Sequence, residues 1–219
     1  MVELRSVFEN NQHAILLGSL LVLLFGHLIV PESLLANFTP IFLIQNVAVS
    51  LLIFSKKKLW TIMFALFLLF LIVRFYLTPN LETEIGPTVG FAYIIYFILI
   101  STKVYHKIYA AKIVGREVIS AVFSGFIMLS TIGSFIFLSV EVFSPNSFSN
   151  LGEGVVKYHN IRYFSFITTL TIGYGDIVPV SNLAKNFTIL IGLAGNFYSV
   201  IVTGIVLGKF VNEKRTGAK

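Results

Sequence analysis

Long apolar runs separated by short polar breaks constrain this chain more than any other feature. A helix needs roughly 20 residues to cross a hydrocarbon core of about 30 Å. Six runs are candidates: 14–30, 40–54, 59–77, 88–102, 118–143 and 184–210. Charged residues make up only 12% of the chain and apolar residues 56%, which excludes an ordinary water-soluble domain. We therefore predict an all-α membrane protein with six transmembrane helices.

The polar breaks between these runs alternate in charge. Basic residues concentrate at 56–58, 103–116 and 209–219, whereas Glu32, Glu82 and Glu84 lie in breaks without Lys or Arg. By the positive-inside rule, this pattern predicts a multi-pass protein with both termini in the cytoplasm, and we expect it in the plasma membrane. The net charge of +6 therefore records orientation and does not favour nucleic acid as a partner.

One apolar segment, residues 161–170 between the fifth and sixth runs, covers only half a bilayer. Because the two flanking spans are already assigned, we interpret about 162–170 as a re-entrant half-helix that enters from the outside. The sequence TIGYGD follows it at 171–176. Non-helical backbone at membrane depth must be buried in protein or line a watery cavity, and we expect 171–176 to be such a segment.

Residues 171–176, with the half-helix before them, Pro179 after them and the Gly-rich sixth run, resemble the pore of the potassium channel family. The resemblance implies a re-entrant pore helix and an extended selectivity filter between helices five and six. It implies a passive, potassium-selective ion channel rather than an enzyme. The implied filter consists of Thr171, Ile172, Gly173, Tyr174 and Gly175, with potassium held by the backbone carbonyls of the first four and by the Thr171 hydroxyl.

The presence of glycine at two positions of the implied filter has a physical explanation. A strand whose successive carbonyls all point inward must alternate its conformation, and Gly173 and Gly175 adopt the required positive φ angles at little cost. Since each chain has one pore loop, a closed ring of carbonyls needs four copies, which predicts a homotetramer in the lipid bilayer. Potassium is the ion expected in the filter, and no cofactor is expected. The absence of cysteine excludes disulfides and thiol-based sites.

Residues around the filter depart from the usual family pattern. Many members have two Trp residues where this chain has Tyr163 and Phe164, and the resemblance implies that these two and Asp176 support the filter. We expect the Asp176 carboxylate to meet the Tyr163 hydroxyl, with altered inactivation and intact selectivity.

The sixth run carries a predicted hinge and a predicted cavity lining. Gly195 occupies the position of the hinge glycine in the family, although simple helix packing would also account for a glycine there. Asn196, Ser199 and Thr203 recur at spacings of three and four and share one helix face. We predict that this face lines the water-filled cavity below the filter; bonding between helices is the alternative.

The first four runs look like a sensor domain without a voltage sensor. We predict a four-helix, sensor-like domain with a cytoplasmic linker at 1–117 and the pore domain at 118–219. A voltage sensor needs basic residues at every third position, but residues 88–102 contain none, so strong voltage gating is not expected. A gating ligand or regulatory subunit is left open. The alternative functions are a poorly selective cation channel and a subunit of a potassium uptake transporter.

Overall fold

The structure is a computed structural model that describes residues 11–30, 35–54, 65, 67, 69 and 87–217. These residues form α1 (Gln12–Phe25), α2 (Leu35–Phe54), α3 (Pro87–Ala110), α4 (Arg116–Phe143), α5 (Gly154–Thr169) and α6 (Asn182–Gly217), with a short 3-10 turn at Gly26–Leu28. The described part of the chain contains no strand beyond one isolated bridge, so the all-α prediction is confirmed there. The third predicted span, 59–77, and the pair Glu82 and Glu84 lie outside the described residues.

Two of the described helices are long and apolar enough to cross a membrane. They are Arg116–Phe143, with 28 residues, and the first 30 residues of α6, Asn182–Val211. A shorter apolar helical stretch, Gln12–Leu28, falls below the length of a full span. The two long helices agree with the prediction of a membrane protein. That the chain crosses the membrane six times stays a prediction.

Three helices extend at one end by seven or more residues beyond the predicted apolar runs. Helix α3 continues to Ala110, so Lys103 and Lys107 lie on the helix and the connection to α4 is only residues 111–115. Helix α5 begins at Gly154 rather than near 162, and its 16 residues span about 24 Å. Helix α6 reaches Gly217. Hydropathy marks only the apolar part of a helix, whereas polar turns continue the same hydrogen-bond ladder.

The described residues of the first compact unit are 11–30, 35–54, 65, 67, 69 and 115–124. Leu16 and Leu20 of α1 are buried, as are Leu43 and Val47 of α2. Polar bonds also join the two helices, since the Ser19 hydroxyl accepts hydrogen bonds from Asn46 Nδ2 at 2.8 Å and Gln45 Nε2 at 3.1 Å.

The carboxylate of Glu117, on the first turn of α4, caps the start of α1. It accepts the backbone N–H groups of His13 at 3.0 Å and Ala14 at 3.2 Å. The first N–H groups of a helix have no intrahelical partner and carry positive charge, so a carboxylate stabilises this end. This contact fixes the start of α1 against residues 115–124.

The second unit comprises residues 87–114 and 125–217. Tyr93 of α3 stacks on Phe135 of α4, with ring centroids 5.1 Å apart and planes 4° from parallel. A separate buried cluster joins α4, α5 and α6, and its aromatic centre is Phe137, Phe148 and Phe164, with centroids 5.1–5.5 Å apart. This cluster holds α5 in place. The predicted domain boundary near residue 117 stays a prediction.

Candidate functional site

Helix α5 packs closely against α4 through a small-residue contact. The Ser165 hydroxyl donates a hydrogen bond to the Ser130 backbone carbonyl at 2.7 Å. A Cβ at Gly133 would lie 2.5 Å from the Ser165 oxygen, so only glycine permits this approach. The absence of a side chain at Gly133 therefore brings the middle of α5 against α4.

The C-terminal end of α5 packs in the same way against α6. A Cβ at Gly195 would lie 2.4 Å from the Thr169 carbonyl oxygen and 2.8 Å from its Cγ2. Helix α6 runs without interruption through this position. The structure thus gives Gly195 a packing role, and its predicted role as a hinge stays a prediction.

The segment after α5 alternates its backbone conformation residue by residue. Thr171, Gly173 and Gly175 have φ angles of 58°, 58° and 80°, whereas Ile172 and Tyr174 do not have positive φ. The two glycines adopt the angles expected from the sequence. The positive φ at Thr171 was not foreseen, because a β-branched residue rarely adopts this conformation.

The N–H groups at the start of this segment point back to α5. Thr171 N–H bonds to the Thr168 carbonyl at 3.0 Å, and the Ile172 and Gly173 N–H groups share the Ile167 carbonyl at 2.8 and 3.4 Å. Among the described residues, no backbone N–H group bonds to the carbonyl oxygens of 171–174. The described residues also contain no cluster of three or more His, Cys, Asp or Glu side chains. The chemistry offered by this segment is therefore that of backbone oxygen.

Two large side chains of the segment are exposed in the single chain. Tyr174 is 72% exposed and Ile172 is 46% exposed, although Ile167, Phe164 and Ile177 around them are buried. In the single chain both side chains are therefore accessible to another molecule.

Residues predicted to support the filter lie in two different environments. The Tyr163 hydroxyl donates the expected hydrogen bond to the Asp176 carboxylate, and this bond raises the pKa of the tyrosine above its usual value of 10.0. Phe164 is buried, and its ring contacts are with Phe137 and Phe148. Phe164 therefore supports α5 through the core.

The three predicted cavity-lining residues share an exposed face of α6. Asn196, Ser199 and Thr203 are all exposed in the single chain, whereas Ile191 and Val202 on the packing face are buried. The Ser199 hydroxyl bonds back to the Gly195 carbonyl at 3.0 Å. Their position on one exposed face agrees with the sequence pattern, and cavity lining itself stays a prediction.

A buried carboxylate near the end of α4 was not foreseen. The side chain of Glu141 is only 5% exposed. It accepts the backbone N–H groups of Asn146 at 3.1 Å and Ser147 at 3.0 Å, and it pairs with Lys157 at 3.3 Å. The signal in the sequence was a lone acidic residue within an apolar run, since such a charge is retained only when paired.

A second unforeseen contact joins α6 to the C-terminal end of α3. The Lys209 ammonium of α6 donates hydrogen bonds to the backbone carbonyls of Ile108 at 2.5 Å, Tyr109 at 2.8 Å and Ala111 at 2.7 Å. The last carbonyls of a helix have no intrahelical donor and attract positive charge. Lys209 thus caps the end of α3.

Comparison with known proteins bears on the same region. Residues 134–212 match a family described as an ion channel. The chain is 35% identical over 179 residues to the voltage-gated potassium channel Kch of Escherichia coli strain K12, covering 80% of this chain and 37% of that protein. It is also 35% identical over 78 residues to the calcium-gated potassium channel TvoK of Thermoplasma volcanium, covering 35% and 20%. The chain thus spans less than half the length of either relative. No solved structure matches it.

Proposed function

We propose, since this chain belongs to the potassium channel family, that it conducts potassium ions passively across a membrane. The observation that carries the proposal is the alternating backbone conformation of residues 171–175. The N–H groups of residues 171–173 donate hydrogen bonds to carbonyls of α5. Carbonyl oxygens that accept no hydrogen bond can replace the hydration shell of a potassium ion. The relatives are channels and not enzymes, which agrees with the sequence prediction.

The filter we propose consists of the carbonyls of Thr171, Ile172, Gly173 and Tyr174, with the Thr171 hydroxyl at the inner end and Gly175 at the outer turn. Helix α5 directs its C-terminal end, the negative end of its dipole, towards the inner end of this filter. A cation waiting in the cavity is stabilised there. Asn196, Ser199 and Thr203 line that cavity and keep it wet.

The working assembly is a homotetramer. A ring of carbonyls around one ion path needs several copies of the single pore loop, and four copies close it with cyclic symmetry. Exposed Tyr174 and Ile172 support this assembly, since a neighbouring copy covers both. Helix α6 supports it as well, because most of its apolar stretch is exposed in the single chain, whereas more than half of the apolar stretch of α4 is buried.

The topology we propose has six crossings with both termini in the cytoplasm of a plasma-membrane protein. The contact of Glu117 with the start of α1 supports it, because the beginnings of α1 and α4 then lie at one level. The proposed topology requires this, because four crossings separate the start of the first span from the start of the fifth.

Weak voltage dependence completes the proposal. Helix α3 carries its basic residues Lys103 and Lys107 only in its last two turns, so few charges cross the membrane field. The two relatives are named for different stimuli, voltage and calcium, and neither stimulus transfers to this chain by similarity alone. A voltage-step series on the reconstituted protein will give a shallow conductance–voltage relation.

Reversal potentials in planar bilayers test the proposed function. With potassium on one side and sodium on the other, the current will reverse near the potassium equilibrium potential. A reversal near zero identifies a poorly selective cation channel, and slow flux without unitary currents identifies a transporter subunit. Either result contradicts the proposal.

Two glycine variants give a matched comparison. Gly173 and Gly154 have φ angles of 58° and 55°, and a Cβ at either meets no described atom within 4 Å. Gly173→Ala and Gly154→Ala therefore introduce a similar backbone strain. Only Gly173→Ala will abolish potassium-selective current, since only that residue lies in the proposed filter.

A further inference from the structure

The loop between α4 and α5 runs alongside the segment that follows the filter. Phe148 and Pro179 form an antiparallel bridge. Backbone hydrogen bonds on either side of it join Ser149 N–H to the Val178 carbonyl at 3.0 Å and Val180 N–H to the Ser147 carbonyl at 2.7 Å. The chain entering α5 and the chain leaving the filter are thus joined directly.

Asn150 ends this pairing and reaches the residue next to the filter. Its side-chain Nδ2 donates a hydrogen bond to the backbone carbonyl of Asp176 at 2.8 Å. Its own φ is 60°, a conformation that asparagine tolerates better than most residues. Asparagine therefore suits this position in two ways: it tolerates the positive φ of the loop, and its side-chain amide bonds to Asp176.

The base of the loop is anchored independently of Asn150. The buried Glu141 carboxylate holds the N–H groups of Asn146 and Ser147 and pairs with Lys157 of α5. Because the base is fixed to both α4 and α5, the Asn150 amide is positioned before it meets Asp176. Such preorganisation reduces the entropy lost in forming the bond.

We propose that Asn150 is a positioning residue for the outer end of the filter. Asp176 is held at two points, its carboxylate by Tyr163 and its backbone carbonyl by Asn150. Together these bonds fix the turn at Gly175, and hence the direction of the Tyr174 carbonyl, the outermost proposed ligand. This inference rests on the proposed function. Without the Asn150 bond, the outer end of the filter loses its conducting conformation sooner during sustained opening.

Asn150→Gly is the direct test. Glycine keeps the positive φ and removes only the amide. Asn146→Gly is the matched control, because Asn146 has the same conformation, φ 62°, and contacts Glu141 through its backbone N–H. In bilayers we expect current to decay about threefold faster in Asn150→Gly, the effect of one solvent-exposed hydrogen bond, and at the wild-type rate in Asn146→Gly.

Two further readouts separate positioning from a general loss of stability. Ions bind only the ordered filter, so raising external potassium will slow the decay of Asn150→Gly towards that of the wild type. Amide hydrogen exchange at residues 174–178 will be faster in Asn150→Gly, with exchange in α4 unchanged. A merely destabilised protein shows faster exchange throughout and no rescue by potassium.

The outcomes distinguish this inference from the proposed function. If the wild type carries potassium-selective current and Asn150→Gly decays at the wild-type rate, the positioning role is wrong and the channel function stands. If the wild type carries no potassium-selective current, both are overturned.

Discussion

The Tyr163 hydroxyl donates a hydrogen bond to the Asp176 carboxylate, which joins α5 to the residue that directly follows the proposed filter. In the family pattern that this segment resembles, a Trp stands at this position, so the tyrosine phenol takes the place of an indole N–H as the donor. The bond raises the pKa of the Tyr163 hydroxyl above its usual 10.0. Its contribution is therefore complete at neutral pH and is lost as the pH rises above that value.

Tyr163→Phe will accelerate the decay of current by about threefold, because the phenylalanine ring keeps the packing but removes the hydrogen-bond donor. Selectivity in the initial current will not change, since the filter carbonyls are untouched. Macroscopic currents recorded at constant voltage provide the measurement. Tyr158→Phe, on the same helix and packed on the buried cluster, is the control. Equal decay in all three proteins would contradict a role for the Asp176 contact.

Gly195→Ala will destabilise the protein by about 1–3 kcal/mol, since a methyl group there overlaps the Thr169 carbonyl oxygen. Gly204→Ala is the control on the same helix, where a Cβ meets no described atom within 4 Å. The control will be stabilised by up to about 1 kcal/mol because alanine favours the helix. Thermal unfolding followed by circular dichroism measures both.

The same variant separates packing from hinging at Gly195. If Gly195→Ala unfolds at the wild-type temperature but the channel stays closed, the packing role is contradicted and the hinge role is favoured. A lowered unfolding temperature in the closed channel, with normal opening in the molecules that remain folded, supports packing.

Part of the backbone of the proposed filter was predictable, because glycine determines the conformation at two of its positions. Gly173 and Gly175 take positive φ as expected, since glycine is the residue that does so at little cost. Thr171 takes the same conformation against its own preference. Its N–H and the next two are bonded to the carbonyl end of α5, and that constraint comes from a neighbouring helix rather than from the residue itself.

Contacts that depend on tertiary folding were not predictable. The sequence shows a glutamate at 141 but not that residues 146 and 147 turn back to bond it. It shows a lysine at 209 but not that the end of α3, about 100 residues earlier, lies beside it. Hydropathy also placed the start of α5 near 162, because the polar turns from Gly154 onward are helical without being apolar.

Cysteine substitutions at Asn196, Ser199 and Thr203 will react with a charged thiol reagent applied from the cytoplasmic side. The native chain has no cysteine, so each variant reports one position. Val202→Cys is the control, because Val202 is buried on the packing face of α6. Block of current by the reagent measures the reaction. Protection of all three positions would mean that this face bonds to other helices.

Lys209→Met will lower the stability of the protein by about 1–2 kcal/mol, because three backbone carbonyls at the end of α3 lose their shared donor. Methionine keeps most of the apolar stem, so the loss reports the ammonium group. Thermal unfolding gives the change in stability, and open probability at a fixed voltage reports any effect on the pore. Lys112→Met is the control, because Lys112 is exposed and lies in the connection between α3 and α4.

The direction of the change in open probability carries the functional information about Lys209. The bond joins α6 to the end of α3. If the channel opens by moving the C-terminal part of α6 away from α3, opening must break this bond. Lys209→Met will then raise open probability by several-fold, by about the same factor as the lost closed-state stabilisation. An unchanged open probability with lowered stability would mean that the bond persists in both states and that α3 and the lower part of α6 move together.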